Sequence, residues 1–130
     1  MKKIILDTNF LMIPYQFRVD IFSEFNRLCN FNYKLYIFEQ TIDELKSIVN
    51  AQSGKSKKSA QFALKLIKLK SIQIIKSSQE YVDSLILKNL DKDTIIATQD
   101  KLLKKELFKK GASIIILRQK KYLELIKKAL

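Results

Sequence analysis

Apolar residues in this chain fall in short blocks separated by longer amphipathic stretches. Ile4, Ile5 and Leu6 form a continuous apolar run closed by Asp7, Thr8 and Asn9, the pattern of a strand buried on both faces. Residues 33–38, 71–75, 94–98 and 113–117 repeat it and predict four more strands. Between these blocks the apolar positions switch to helical spacing. Ile21, Phe22, Phe25 and Leu28 predict a helix over 20–29, and Ile42, Leu45, Ile48 and Val49 line a second one opened by Thr41. Phe62, Ala63, Leu66, Ile67 and Leu69 continue helically to 70, and Val82, Leu85 and Ile86 mark a helix capped by Ser78. A further helix over 101–110 ends at Gly111, a common C-terminal residue for helices, and a last one is expected over 120–128. Residues 53–59, polar and rich in lysine, read as a flexible loop.

Short apolar strands alternating with helices imply right-handed crossovers and a parallel sheet covered on both sides. The expected fold class is α/β: three layers, α/β/α, around a central parallel sheet of about five strands. The 130 residues suit one domain, 1–130, with no internal repeat. That fold gathers the carboxyl ends of its strands at one edge, where open α/β proteins place their sites.

Composition narrows the chemistry. There is no histidine and a single cysteine, Cys29, which excludes Ser-His-Asp and Cys-His nucleophilic sites, histidine acid/base pairs and thiolate or imidazole zinc sites. One cysteine forms no internal disulfide and suits a reducing compartment. With an N-terminal apolar run too short for a secretory signal and no stretch long enough for a membrane helix, a cytoplasmic protein without a membrane partner is expected. Net charge is +12 and unevenly placed. Six cations face six acids in residues 1–50, nine face five in 51–100, and ten face two in 101–130. Such a field favours polyanions, although 22 of the 25 cations are lysines and a solubilising surface has the same composition.

Against that basic background, four acids are expected at the carboxyl edge of the sheet. Asp7 follows the first strand, Glu44 the second, Asp83 the third and Asp100 the fourth. Asp91 and Asp93 precede the fourth strand and fall on the opposite edge. Each of the four also has a local reading. Asp7 and Asp100 suit helix or turn caps, and Thr41 with Glu44 fits a capping box. Asp83 borders the apolar positions Ile86, Leu87 and Leu90, which argues against an ordinary solvated acid. Separate caps have no reason to meet at one edge. Carboxylates gathered there repel one another, and a hard divalent cation, Mg2+ or Mn2+, relieves the repulsion using oxygen ligands alone. A cation so held activates water and stabilises a leaving oxygen, the requirements for cleaving a phosphodiester.

At these residues the sequence resembles the PIN-domain family of metal-dependent nucleases. The motifs are Ile5-Leu6-Asp7-Thr8-Asn9, Thr41-Ile42-Asp43-Glu44-Leu45, Val82-Asp83-Ser84-Leu85-Ile86 and Ile96-Ala97-Thr98-Gln99-Asp100-Lys101, in order along nearly the whole chain. The resemblance implies that Asp7, Glu44, Asp83 and Asp100 are the catalytic, metal-holding acids and that Asn9 and Thr98 support them. Residues 95–101 and 117–123 resemble the single-domain archaeal branch related to the ribosomal-RNA processing endonucleases of the small-subunit processome. Members of that branch often carry a second acid after the one matching Asp83, where this chain has Ser84.

These features predict an Mg2+- or Mn2+-dependent endoribonuclease acting on structured RNA or a ribosomal precursor. Lys55, Lys57 and Lys58, with Lys101, Lys104 and Lys105 beside Asp100, are candidates to grip backbone phosphates; Tyr15 and Phe17 are candidates to stack on an unpaired base. The same residues have an ordinary reading as solvated helix faces and core. Two other functions fit the sequence. One is a toxin-type ribonuclease held by an antitoxin, since such toxins share the motifs; the other is a non-catalytic RNA-binding assembly module. Single-domain relatives are often homodimers, but no residue pattern here marks an interface.

Overall fold

The computed structural model describes residues 1–78 and 80–127. Six strands form one sheet: β1 (Lys2–Leu6), β2 (Tyr33–Phe38), β3 (Gln73–Ile75), β4 (Thr94–Ala97), β5 (Ser113–Arg118) and β6 (Tyr122–Ile126), in the spatial order β3-β2-β1-β4-β5-β6. The first five are mutually parallel and β6 runs antiparallel to β5. Helices α1 (Ile13–Phe17), α2 (Ile21–Leu28), α3 (Glu39–Ala51), α4 (Gly54–Leu69), α5 (Val82–Lys88) and α6 (Lys101–Lys109) complete the chain. No helix among the described residues is long and apolar enough to cross a membrane.

Alternation within the strands divides the core into two layers, because successive side chains leave opposite faces. Ile4 and Leu6 of β1 join Ile37, Ile95, Ala97 and Ile115 beneath α1, α2, α3 and α4. Ile5 points the other way, into a second core with Phe38, Ile96, Ile114 and Ile116 beneath α5 and α6. The α/β/α sandwich is thus the expected one. Chain order reverses at its centre: after β1 the chain passes to β2 and β3 on one side, and it returns through α5 to β4 on the other. The connections leaving β1 and β4 part company there, the place where doubly wound folds put a crevice at the carboxyl ends of their strands.

Four expectations need correction. The final segment is a strand, not a helix over 120–128 (Lys128 lies outside the described residues). Tyr122, Leu123, Leu125 and Ile126 fit either periodicity, and the hairpin decides between them. Lys121 N–H bonds Arg118 C=O at 2.9 Å, and Gln119 and Lys120 adopt φ of 51° and 56°, the positive values that primed hairpin turns require. On the outer side, Leu123 N–H donates to Glu24 at 2.8 Å and Leu123 C=O accepts from Arg27 at 2.8 Å. Side chains of α2 therefore occupy edge groups that would otherwise be open to pairing.

Residues 53–59 are not a flexible loop, since α4 starts at Gly54 and includes Lys55, Lys57 and Lys58. Gly54, at φ +61°, makes the left-handed turn between α3 and α4, and burial of Ser59, Ala60 and Ala63 anchors the new helix from its second turn. The second long helix does not open at Thr41: α3 begins at Glu39, with Phe38 at the N-cap, so Thr41 and Glu44 lie inside it and form no capping box. Ser78 is likewise no cap, because α5 starts at Val82 after Tyr81. The pattern also gave no warning of the short turn at Phe10–Met12 and α1, which bury Phe10, Leu11, Met12 and Ile13 directly after the first strand.

Candidate active site

Asp7 is the first residue beyond β1, and its backbone N–H still bonds Ala97 C=O at 2.9 Å, so the ladder with β4 fixes where its side chain begins. The side chain is 8% exposed. One carboxylate oxygen accepts from Thr8 N–H at 2.8 Å and the other from the Thr98 hydroxyl at 2.8 Å. Thr98, fully buried one residue past β4, also accepts from Asp100 N–H at 3.0 Å. A single hydroxyl thus ties the first acid to the backbone of the last.

Glu44 reaches the same place from α3. Its Oε1 accepts from the Thr8 hydroxyl at 2.5 Å, and the Thr8 and Thr41 hydroxyls lie 3.3 Å apart. Thr41 is fully buried one turn before Glu44 on the same helix face. The T-x-x-E spacing therefore signalled a shared helix face turned to Thr8. Asp100 keeps both of its readings: it caps α6 by accepting from Leu103 N–H at 2.9 Å, and its charge acts on Asp7.

Burial pushes the Asp7 carboxyl above the usual carboxylate range. Hydrogen bonds from Thr98 and Thr8 pull it back, and the negative charges of Glu44 and Asp100 push it further up. These causes describe a carboxylate short of positive charge on a chain with a large cationic excess.

Asp83 stands apart. It lies in the first turn of α5, exposed, with one oxygen accepting from Ser84 N–H at 3.0 Å. The expectation that it borders an apolar face is corrected: Leu85 and Ile86 take the inward positions and Asp83 points to solvent. Asn9 contributes through its backbone, its C=O accepting from the Gln99 amide at 3.2 Å; its exposed side chain makes no cap bond to the following turn.

A second buried polar feature went unread in the sequence. Gln40, on α3, accepts from the Ser77 hydroxyl and donates to Ser78 C=O. It pins the segment after β3 to α3, and that segment leads into Asp83. A glutamine in the first turn of an amphipathic helix carries no periodicity signal that marks it as buried.

Among the described residues, no three acidic side chains converge closely enough to form a ready-made metal cage. The donors nonetheless fit a hard cation of the Mg2+ type, which keeps several waters and takes one or two carboxylates plus substrate phosphate rather than a closed protein shell. Asp7, with Glu44 and Asp100 nearby, supplies oxygen donors only and an unbalanced negative charge.

The lysine candidates divide between two places. Lys101, Lys104 and Lys105 lie on α6 directly after Asp100, and Lys55, Lys57 and Lys58 lie in the first turns of α4. Phe17 packs against the core with Lys120 Nζ 5.8 Å from its ring centroid, whereas Tyr15 stays partly open beside Phe62.

An acidic cluster at the switch point of a doubly wound sheet, on a cationic chain, is a place where a hard cation and a polyanion can meet. The family described as PIN like domain matches residues 4–120, and the chain belongs to it. It is 30% identical over 127 residues to ribonuclease VapC4 of Methanocaldococcus jannaschii, covering 96% of this chain and 97% of that protein. Ribonuclease VapC9 of Archaeoglobus fulgidus is 29% identical over 118 residues, with 90% and 84% covered. The structure of the PIN domain endonuclease Utp24 superposes with a TM-score of 0.78 at 22% identity, over 98% of this chain and 95% of that one. A domain of a functionally unknown M. jannaschii protein gives 0.58 at 16% identity, over 100% and 99%. The two structural likenesses establish the fold; the family and the two relatives named as ribonucleases support a nuclease of the PIN-domain class.

Proposed function

We propose that this protein is a divalent-metal-dependent endoribonuclease whose centre is built from Asp7, Glu44 and Asp100, with Asp83 at its rim. The observation that carries the reading is the Asp7 carboxylate, buried at the switch point and pressed by two further acids. Two relatives named as ribonucleases, both matched over most of their length, supply the substrate class.

Asp7 and Glu44 would hold the cation, with Asp100 completing the negative pocket. Mg2+ or Mn2+, when bound, supplies Lewis acidity and a more acidic water for attack on phosphorus. The chain's own residues do the rest. Thr98 and the Thr8 N–H fix both Asp7 oxygens, so the carboxylate turns in one orientation toward its ligand. Thr8 orients Glu44 in the same way from the neighbouring segment. Lys101, Lys104 and Lys105 on α6 provide cations for the phosphates flanking the scissile bond. Cleavage of end-labelled RNA with Mg2+, with Mn2+ and with EDTA tests the proposal. Internal cleavage that EDTA abolishes is expected; binding without cleavage in either metal would point to an RNA-binding module instead.

Two biological settings suit such an enzyme. Ribosomal-precursor processing rests on the sequence resemblance, since the Utp24 likeness, at 22% identity, establishes fold alone. A toxin-type ribonuclease restrained by an antitoxin is favoured by the two VapC-named relatives. Co-purification of the chain from its own cells separates the settings: an associated small protein that suppresses cleavage supports the second, and enrichment of precursor ribosomal RNA supports the first.

A further inference from the structure

Away from the acids, α1, α2 and α4 border an open groove of about 660 Å³. Three rings and three cations line it. Tyr15 and Phe62 are 36% and 38% exposed, with ring centroids 6.0 Å apart and planes tilted by 54°. Phe22 is the third ring, and Lys70 Nζ lies 5.1 Å from its centroid. Arg18 and Lys55 complete the rim, and among the described residues none of the three cations takes part in an ion pair. Among the described residues Asp20 is the sole acid of the lining; its carboxylate caps α2 through Phe22 N–H, Ser23 N–H and the Ser23 hydroxyl, and the Lys70 charge acts on it.

We infer that this groove binds one or two unpaired nucleotides of an RNA strand, outside the acidic pocket. The inference rests on the ribonuclease reading for the identity of the polyanion. Cations that form no ion pair among the described residues, set around accessible rings, are complementary to a phosphate backbone that presents bases for stacking. A duplex hides its base faces and uses the cations alone. Arg18, held at φ 56° where α1 ends, projects from a fixed turn instead of a mobile tail. The volume lies within the range of sites for small ligands, a size that admits a base and its phosphate. Tyr15 lies on the helix that follows the Asp7 strand.

The test is equilibrium binding of fluorescein-labelled U12 and of a 12-base-pair RNA duplex to the full chain in EDTA, where cleavage is suspended. The expected result is preference of the wild type for U12. Tyr15→Ala with Phe62→Ala should weaken U12 binding by about tenfold or more and leave the duplex unaffected. Lys55→Ala and Lys70→Ala should each lower the salt dependence of binding by about one charge. Photocrosslinking of U12 is expected at Tyr15 or Phe62. Unchanged U12 affinity in the ring variant, with an unchanged melting temperature, overturns the inference. So does a wild type that ignores U12 at low salt, which would leave the groove to a protein partner. Cleavage by the wild type separates the two readings: ring-dependent U12 binding in a wild type that cleaves in no metal upholds the groove and removes the nuclease, and cleavage that persists in the ring variant at unchanged KM upholds the nuclease and removes the groove.

Discussion

At the centre of the sheet, β4 is buried along its whole length, and Asp7 beside it has both oxygens engaged by groups fixed to the strands. At the β3 end, the strand is three residues long and largely exposed, and Asp83 is reached only through the segment that Gln40 pins to α3. Both acids face the same edge and follow parallel strands, yet one is buried and oriented and the other is solvated. The difference teaches that strand position alone does not bury or orient an acid. Orientation comes from neighbours on both sides, and only central strands have them.

The comparison can be broken most directly by removing charge. Asp7→Asn is expected to lower metal-dependent RNA cleavage on the order of a thousandfold, comparable to losing a major electrostatic contribution of about 4 kcal/mol. Single-turnover rates with saturating Mn2+ measure it, and an active Asp7→Asn enzyme would remove the centre from this pocket. Thr98→Val removes the hydroxyl that serves both Asp7 and Asp100 N–H. A loss of roughly 10–100-fold is expected, with a weaker apparent affinity for Mn2+ in the same assay. Asp83→Asn should cost no more than about tenfold if solvation weakens its role as argued. A loss equal to that of Asp7→Asn would show that α5 closes over the pocket when substrate arrives.

Stability sharpens the contrast. Gln40→Leu leaves the Ser77 hydroxyl and Ser78 C=O unpaired and should cost about 1–3 kcal/mol in urea unfolding. Its effect on cleavage should stay below that of Thr98→Val, because it disturbs only the peripheral acid.

The smallest effect concerns pH. The Asp7 pKa is raised in the folded state above the ordinary 3.8, so the folded chain binds this proton more tightly than the unfolded one. Stability contributed by the protonated form is present below the ordinary value and is lost as pH rises through the folded value. At neutral pH without metal, Asp7→Asn should therefore melt a few degrees above the wild type, and millimolar Mn2+ should raise the wild-type melting temperature but not that of the variant. Thermal scans from pH 4 to pH 8 check both; a wild type more stable than Asp7→Asn at neutral pH in EDTA would contradict the repulsion argued for the pocket.

Sequence patterning located the five parallel strands, the two-sided core and the carboxyl edge, because burial on both faces leaves unbroken runs such as Ile4-Ile5-Leu6 and Ile114-Ile115-Ile116. It misjudged the places where one pattern serves two structures. The apolar positions from 122 to 126 suit helix or strand, and the Arg118–Lys121 turn together with Glu24 and Arg27 selected the strand. The polar run at 53–59 lacks apolar periodicity at its start, yet packing of Ala60 and Ala63 draws it into α4. Thr8 and Thr41 were visible as residue types, but their meeting joins positions 33 apart in the chain.

Sequence by itself determined the alternation of strand and helix, the excess of positive charge and a chemistry confined to oxygen ligands, since these follow from residue type and local periodicity. Tertiary structure alone decided which acids share a pocket, which one stays in solvent, and which rings and cations frame the groove between α1, α2 and α4. Those outcomes depend on desolvation and on hydrogen bonds between distant segments, and both arise only when the sheet brings β1 and β4 side by side.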